Sequence, residues 1–315
     1  MIDFRYHIVS LVAVFLALAL GLFLGSTTLQ STVTHNLRQQ ADSVIARNHT
    51  LQSANDQANA ELKQAQDFET SVEPYAVAGK LVGADVAVVS APGVDSGARN
   101  ALTSTLRSAG AVVTADIRLA DGFTDPQQDA TWGQLALQLA GTRSLPHANG
   151  ASQAGGELAR VLLTRPGVRL ASPRRTETVL STLTDGKMIS ISGQMPVRAA
   201  DVAVLLVPLG GNPESSSVAT TRDNDLIALA RSLRHWSSGL VVAGPTVSAD
   251  PSSGGPLAAM RADSGLMKSV STVDSDDTAI GRVATVLALA AAPGGAIGTY
   301  GESQSPPLPS QSPAP

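Results

Sequence analysis

The chain has 315 residues, a formal net charge of −4 at neutral pH and no cysteine. The small negative charge argues against a nucleic-acid-binding protein, because such proteins carry a basic face. The lack of cysteine excludes disulfides, thiolate metal sites and cysteine nucleophiles. Aromatic residues make up only 3% of the chain, so we expect a core built mainly of Ala, Val and Leu.

The N-terminal region contains an apolar run without Asp, Glu, Lys or Arg, residues 8–29. At about 1.5 Å per residue, a helix of this length spans the roughly 30 Å hydrocarbon core of a bilayer. The alternative is a signal peptide cleaved after Ala17-Leu18-Ala19, but the apolar region of signal peptides has only about 7–15 residues. Such a cut would also leave the apolar "LGLFLG" on the mature protein. We therefore favour a retained transmembrane helix.

The charges that flank this run indicate its orientation. Arg5 precedes the run, and the nearest arginine after it is Arg38. Positive charge is typical of the cytoplasmic side of a membrane helix. We predict a short cytoplasmic N-terminus, residues 1–7, and an extracytoplasmic main domain in a single-pass protein of the cytoplasmic membrane.

Small residues recur every fourth position along the apolar run: Ala13, Ala17, Gly21 and Gly25. This spacing places them on one stripe of a helix, and the two glycines form a GxxxG motif. Such a stripe lets two membrane helices approach closely. We predict self-association through this stripe, the alternative being that Ala and Gly are simply common in membrane helices.

Residues 30–72 form a polar region whose first 40 residues or so contain no Gly or Pro. With Leu37 at heptad position a, apolar residues recur at a, while position d holds both apolar residues and Asn. This pattern predicts a coiled-coil stalk that continues from the membrane helix and forms a homodimer. A lone polar helix lying along the next domain is the alternative, and Pro74 is expected to end the helix. The predicted coiled-coil residues are Leu37, Val44, Leu51, Ala58 and Leu62.

Strand-like and helix-like segments alternate over residues 80–300. This alternation predicts an extracytoplasmic α/β domain with a mostly parallel sheet flanked by helices. A Pro/Ser-rich tail, residues 301–315, is predicted to be disordered. The predicted strands are 84–91, 111–119, 188–192, 200–209 and 240–245, and the predicted helices are 96–110, 151–165, 175–186, 224–239 and 277–292.

Three Gly- and Ser-rich loops follow predicted strands: 90–97, 208–217 and 244–256. Ligands of such sheets bind beyond the carboxyl ends of the strands, and free backbone N–H groups suit an anion. None of the loops has GxGxxG or a GKT/GKS ending, so a nucleotide site is not indicated. We favour ordinary turns, with an anion site as the alternative.

No catalytic constellation is visible in the sequence. HExxH, GxSxG and SxxK motifs are absent, and the five histidines are scattered. His35 and His49 both fall at heptad position f, which favours solvated side chains over metal ligands. We predict a non-enzymatic protein with no catalytic residues and no resident cofactor.

Two charged clusters have alternative explanations. The segment "STVDSDDTAIGR", residues 271–282, holds three Asp within four residues just before the last predicted helix. We favour N-capping and complementation of the helix dipole over a hard-cation site. Four arginines within residues 165–175 are interpreted as a solvated connection, with binding to an anionic polymer as the alternative.

Three segments resemble one protein family. They are "MIDFRYHIVSLVAVFLALALGLFLGS" at the start, "STVDSDDTAIGRVATVLAL" near the end, and "GAIGTYG" after it. They are similar to the mycobacterial copper transport protein B (MctB-like) family of actinobacterial envelope proteins, and the resemblance covers about residues 3–301. It implies a role in copper homeostasis, described as pore formation and copper export at the outer membrane, which adds that membrane as an alternative location. It also implies a partner in cell separation.

The residues themselves assign no metal ligands. Copper(I) favours thiolate and thioether ligands, but Cys is absent, and Met188, Met195, Met260 and Met267 form no MxxM motif. The resemblance implies copper as cargo and not as a resident cofactor. The first functional hypothesis is a membrane-anchored envelope protein of copper transport and homeostasis. The alternative is a coiled-coil scaffold that regulates a cell-wall hydrolase during cell separation.

Overall fold

The computed structural model describes two compact units, Met1–Ala65 and Gln66–Pro315. The described residues are 4–141, 143, 145, 148–165, 167, 170–192, 197–210, 216–246, 255–304, 308 and 309. Within them, the side chains of residues 4, 26–38 and 216 are left out of the description.

The first helix, α1, spans Phe4–Val77. The prediction that Pro74 ends this helix is wrong, since the helix continues for three residues beyond it. Proline removes one helical hydrogen bond, but contacts on either side of it hold the last turn. Val77 is fully buried in the core, and Glu73 makes buried hydrogen bonds described below.

A seven-stranded sheet forms the centre of the second unit, with strand order β3-β2-β1-β4-β5-β6-β7. All neighbouring strands are parallel except β2 and β3. The predicted mostly parallel sheet is therefore confirmed. The strands are β1 Asp85–Ser90, β2 Val112–Leu119, β3 Ile189–Ser192, β4 Val202–Leu206, β5 Gly239–Ala243, β6 Ser271–Val273 and β7 Thr299–Tyr300.

Helices cover both faces of this sheet, as predicted. Alternate residues of β1 show the two sides: Val86 and Val88 belong to one apolar cluster, Ala87 and Val89 to the other. The first cluster includes residues of α1, α2 and α8, and the second includes residues of α3 to α7. The helices after α1 are α2 Ser96–Ser108, α3 Asp129–Ala140, α4 Gly150–Leu162, α5 Pro173–Asp185, α6 Ser216–Trp236, α7 Pro256–Ala262 and α8 Ala279–Ala291.

Four elements were not predicted from the sequence: α3, α7, β6 and β7. Tertiary contacts stabilise α3, because Trp132 packs edge-on against Phe123 at 5.0 Å and donates a hydrogen bond to the Gly122 carbonyl at 2.9 Å. Strands β6 and β7 have only three and two residues and are defined by pairing with their neighbours. Such short elements leave no periodic pattern in the sequence.

A buried ion pair joins the end of α1 to α8. Arg282 donates to both carboxylate oxygens of Glu73, at 2.6 to 3.2 Å, and to the Asp277 carbonyl at 3.1 Å. The Thr105 hydroxyl of α2 donates to the same Glu73 carboxylate. The Glu73 and Arg282 side chains are each less than a tenth exposed. Three helices on one face of the sheet are thus connected through one carboxylate.

Replacing Glu73 by Gln is expected to destabilise the folded protein by about 3–5 kcal/mol, because it leaves the Arg282 charge buried without its partner. The matched control is Arg198→Gln, which breaks an ion pair with Asp85 whose arginine is 71% exposed and should cost at most about 1 kcal/mol. Thermal or denaturant unfolding of the full chain measures both. Equal, small losses in the two variants would contradict the assigned role of Glu73.

Candidate functional site

The chain order reverses at the centre of the sheet. From β1 the chain adds β2 and β3 on one side, and β4 to β7 then follow on the other. In doubly wound sheets this switch point opens a crevice outside the carboxyl ends of the strands, where ligands bind. Here these ends are Ser90 of β1, Leu119 of β2 and Leu206 of β4.

A cavity of about 330 Å³ lies at the carboxyl ends of β1 and β2, which we call the switch-point cavity. Its floor is a polar row in register across three strands: Ser90 pairs with Arg118, and Arg118 pairs with Ser190. Their neighbours Val89, Ile117 and Ile189 belong to the apolar cluster on the opposite face. By strand alternation the polar row therefore faces α2.

Two buried polar atoms on this cavity have no hydrogen-bond partner. Arg99 of α2 donates through Nη1 to Asp116 at 3.2 Å and through Nη2 to Asn100 at 3.2 Å, but its Nε has no acceptor. The Ser90 hydroxyl, in a residue only 1% exposed, is likewise unpaired. Among the described residues, Ser237 holds the single further buried side-chain atom in this condition.

The loop that leads from β1 into α2 closes one wall of the cavity. Gly93 has a φ of +81°, and a Cβ there would lie 3.3 Å from the Cβ of Pro208 in the neighbouring loop. Glycine meets both the left-handed backbone and the close approach. Asp95 caps α2 by accepting a hydrogen bond from the Ala98 N–H at 2.8 Å. Loop 90–97 is thus an ordered turn that ends in a helix N-terminus at the cavity.

The other two predicted loops are described only in part, because residues 211–215 and 247–254 lie outside the described residues. In the loop after β5, the hydroxyls of Thr246 and Ser275 form a hydrogen bond at 2.7 Å. This bond connects that loop to the acidic segment after β6.

Asp274, at the carboxyl end of β6, is a fully buried hydrogen-bonding centre. It accepts from Arg261 Nη1 at 3.0 Å, from the Ser275 hydroxyl at 3.0 Å, and from both the backbone and the hydroxyl of Ser303. Burial alone would raise the pKa of Asp274, but these hydrogen bonds outweigh it and lower the pKa below its ordinary value. Gln304 also donates to it, at 3.4 Å. These contacts hold residues 303 and 304, at the start of the tail predicted to be disordered; most of the remaining tail lies outside the described residues.

The sequence predicts that the aspartates of this acidic segment cap α8. This prediction is wrong, because none of the three aspartates is the capping residue. Thr278 is the N-cap, and its hydroxyl accepts from the Gly281 N–H at 3.2 Å. Asp276 is instead buried, at 2% exposed. Burial, and then repulsion from Asp277, raise the pKa of Asp276 to about 7. The hard-cation alternative gains no support, since no group of three or more potential ligands occurs among the described residues.

Asp276 makes stability depend on pH. The ordinary pKa of 3.8 rises to about 7 in the folded state. Below about pH 4 both states hold the proton; from pH 4 to 7 only the unfolded state ionises, so stability falls as pH rises. We expect Asp276→Asn to match the parent at pH 4 and to be more stable at pH 8, by at most about 4 kcal/mol.

Unfolding of both proteins across pH 4–8 measures this difference. The control Asp277→Asn, at an exposed neighbour, should give a clearly smaller gain at pH 8. If the difference in free energy of unfolding between the parent and Asp276→Asn stayed constant across this pH range, the raised pKa of Asp276 would be contradicted.

The remaining predicted features are mostly dispersed. Within the arginine run, Arg175 pairs with the buried Glu157 at 3.0 Å, so it is not merely solvated. His7, His49 and His235 are exposed, and the side chain of His35 and all of His147 lie outside the described residues.

Methionine is the remaining soft donor in this chain without cysteine. Met188 and Met260 are buried in the apolar cluster that faces α3 to α7. Met195 lies outside the described residues. Within the described part of the chain, no cluster of His, Asp or Glu supplies a metal site.

The apolar part of α1, Arg5–Gly25, has a mean hydropathy of 2.7 and the length of a membrane span. Ala13, Ala17, Gly21 and Gly25 are exposed in the single chain, and a Cβ added at either glycine would meet nothing within 4 Å. The predicted packing stripe is therefore open. Its role in association, and that of the heptad residues, stays a prediction.

These features define a doubly wound α/β protein with a cavity at the switch point and an N-terminal helix of membrane-spanning length. The sequence matches the family described as "Copper transport outer membrane protein, MctB" over residues 1–307. The chain belongs to this family, as the resemblance of its segments implied.

Curated relatives carry the same name. "Copper transporter MctB" of Mycobacterium tuberculosis is 29% identical over 311 residues, which cover 96% of each chain. The protein of that name from Mycobacterium leprae is 29% identical over 313 residues, again 96% of each chain. The match extends over nearly the full length of both, so it includes the apolar helix and the α/β domain alike.

Proposed function

We propose that this chain is a single-pass, membrane-anchored envelope protein of copper transport and homeostasis, without enzymatic activity. Family membership supports the copper role. The observation that carries the anchoring is the apolar helix Arg5–Gly25, whose length matches a bilayer core. The proposed topology places residues 1–7 in the cytoplasm and the α/β domain outside the cytoplasmic membrane. The family description also leaves the outer membrane as an alternative location.

We further propose that the chain acts as an oligomer, most simply a homodimer. Val44, Leu51 and Leu62 fall at apolar heptad positions and are 61%, 70% and 57% exposed in the single chain. Covering such side chains with a second helix is favourable by roughly 25 cal/mol for each Å² removed from water. Ala58 is exposed on the same pattern, and the side chain of Leu37 lies outside the described residues. A coiled coil through these residues is the arrangement that removes them from water.

Oligomerisation also bears on how copper would be handled. Copper is the cargo in this proposal, and no group of three or more His, Asp or Glu that could hold a metal ion occurs among the described residues of one chain. Several helices would have to be combined to form any path through a bilayer. The proposed copper role therefore belongs to an assembly of chains or to the chain with a partner.

A second candidate function is a scaffold that regulates a cell-wall hydrolase during cell separation. The exposed heptad residues favour it, because a coiled coil offers a binding surface as well as a dimer interface.

Deletion of the gene distinguishes the two candidates. The copper role predicts a strain that grows at a lower maximum copper concentration and regains tolerance when the full chain is returned. Normal copper tolerance together with chains of unseparated cells would contradict the copper role and favour the scaffold. As a direct measurement, the purified full chain titrated with copper(I) tests whether the chain itself holds the ion.

The packing stripe is tested by replacing Gly21 and Gly25 together by Leu. The added side chains keep the helices apart, so cross-linked dimers of the full chain in membranes should decrease several-fold. Ala19→Leu, on the opposite side of the same helix, adds bulk at a single position away from the stripe and should leave the cross-linking pattern unchanged. Unchanged cross-linking in the double variant would remove the stripe from the account.

A further inference from the structure

We propose that the switch-point cavity binds a small phosphate-bearing ligand, in the class of polyol phosphate monoesters. This inference is independent of the copper role and of the membrane anchor. It rests on two buried donors without partners, on an exposed arginine, and on a helix N-terminus that meet at one cavity.

The first step is the pair of unsatisfied atoms. Buried polar side-chain atoms are nearly always hydrogen-bonded in folded proteins, so each exception calls for a reason. The Ser90 hydroxyl and the Arg99 Nε are two of the three exceptions among the described residues, and both residues line the same cavity. The Ser90 and Arg99 residues are 1% and 7% exposed, so they are shielded from bulk solvent. A bound ligand supplies what both lack.

The second step is the chemistry of that ligand. The Nε–H of an arginine can only donate, and a serine hydroxyl readily donates. Ser96, the first residue of α2, lines the same cavity, and its backbone N–H has no acceptor within the helix, whereas the Ala98 N–H donates to Asp95. Several donors that converge on one space require a ligand rich in acceptor oxygens, and helix N-termini favour a negative charge. Phosphate meets both conditions.

The third step is the balance of charge. Arg99 is compensated by Asp116 at 3.2 Å. Arg118, in the middle of the polar row, is exposed and makes no ion pair within the described part of the chain. Its guanidinium can therefore bind two phosphate oxygens at once, and Asp121 is the carboxylate that lies with it on the lining.

The fourth step concerns the rest of the ligand. Asp121 also lines the cavity, just beyond the end of β2, and its carboxylate can only accept hydrogen bonds when ionised. A carboxylate beside a phosphate site suits hydroxyl groups on the same ligand. The volume of about 330 Å³ lies at the small end of ligand pockets. These features favour a short polyol phosphate over a nucleotide.

The test is calorimetric titration of the full chain in detergent with glycerol 3-phosphate, inorganic phosphate and glycerol. We expect submillimolar binding of glycerol 3-phosphate, weaker binding of inorganic phosphate, and none of glycerol. No heat from either phosphate compound up to about ten millimolar would overturn the proposal. Equal affinity for both would overturn its polyol part.

Matched variants separate this site from general attraction of anions. Arg118→Gln should weaken glycerol 3-phosphate at least tenfold, while Arg107→Gln, an exposed arginine at the other end of α2, should leave the affinity unchanged. Equal weakening by the two variants would overturn the assigned site.

Ser90→Ala provides a check on folding. Because the hydroxyl has no partner to lose, the ligand-free variant should keep the thermal midpoint of the parent, yet the rise in midpoint on adding glycerol 3-phosphate should be smaller. A variant that folds equally well and binds equally tightly would contradict the role of Ser90.

Discussion

The central strands of the sheet are covered by helices on both faces, so the side chains along them are apolar. Every residue of β4 and β5 is buried. Polar groups that the protein needs must therefore lie where strands end and helices begin. This constraint places Ser90 and Arg118 on the floor of the switch-point cavity and Asp274 beyond the end of β6. The chemistry of the domain therefore lies at one edge of the sheet, on residues at the strand ends and on the connections beside them.

The same constraint governs how the covering helices are held. An ion pair under a helix layer is stable only if its remaining donors and acceptors are satisfied. Glu73 and Arg282 meet this condition through Thr105 and the Asp277 carbonyl. Asp276 is instead buried beside Asp277, and burial, followed by repulsion from Asp277, raises its pKa. The three carboxylates of the acidic segment thus differ. Asp274 is buried and hydrogen-bonded, Asp276 is buried with a raised pKa, and Asp277 is exposed.

Periodicity and composition were enough to predict the α/β class, the parallel sheet and five of the helices that cover it, because buried parallel strands read as short apolar runs. They could not predict β6 and β7, whose few residues become strands only by pairing. The cavity shows the same limit. Loop 90–97 is recognisable from its Gly and Ser residues, but Arg118 and Ser190 join it only through strand register, and no local motif signals that. Glu73 and Arg282 lie 209 residues apart, so their pairing left no sequence pattern either.

The apolar helix that opens the chain determines how the rest is interpreted. If it stays in the membrane, the heptad residues and the α/β domain act at a membrane surface, in keeping with the description of the family. If it were removed, neither the packing stripe nor the proposed topology would apply to the mature protein. The most direct measurement is N-terminal sequencing of the native protein after separation of membrane and soluble fractions. The account predicts membrane-bound material that retains the apolar segment, and soluble material that begins near residue 20 would contradict it.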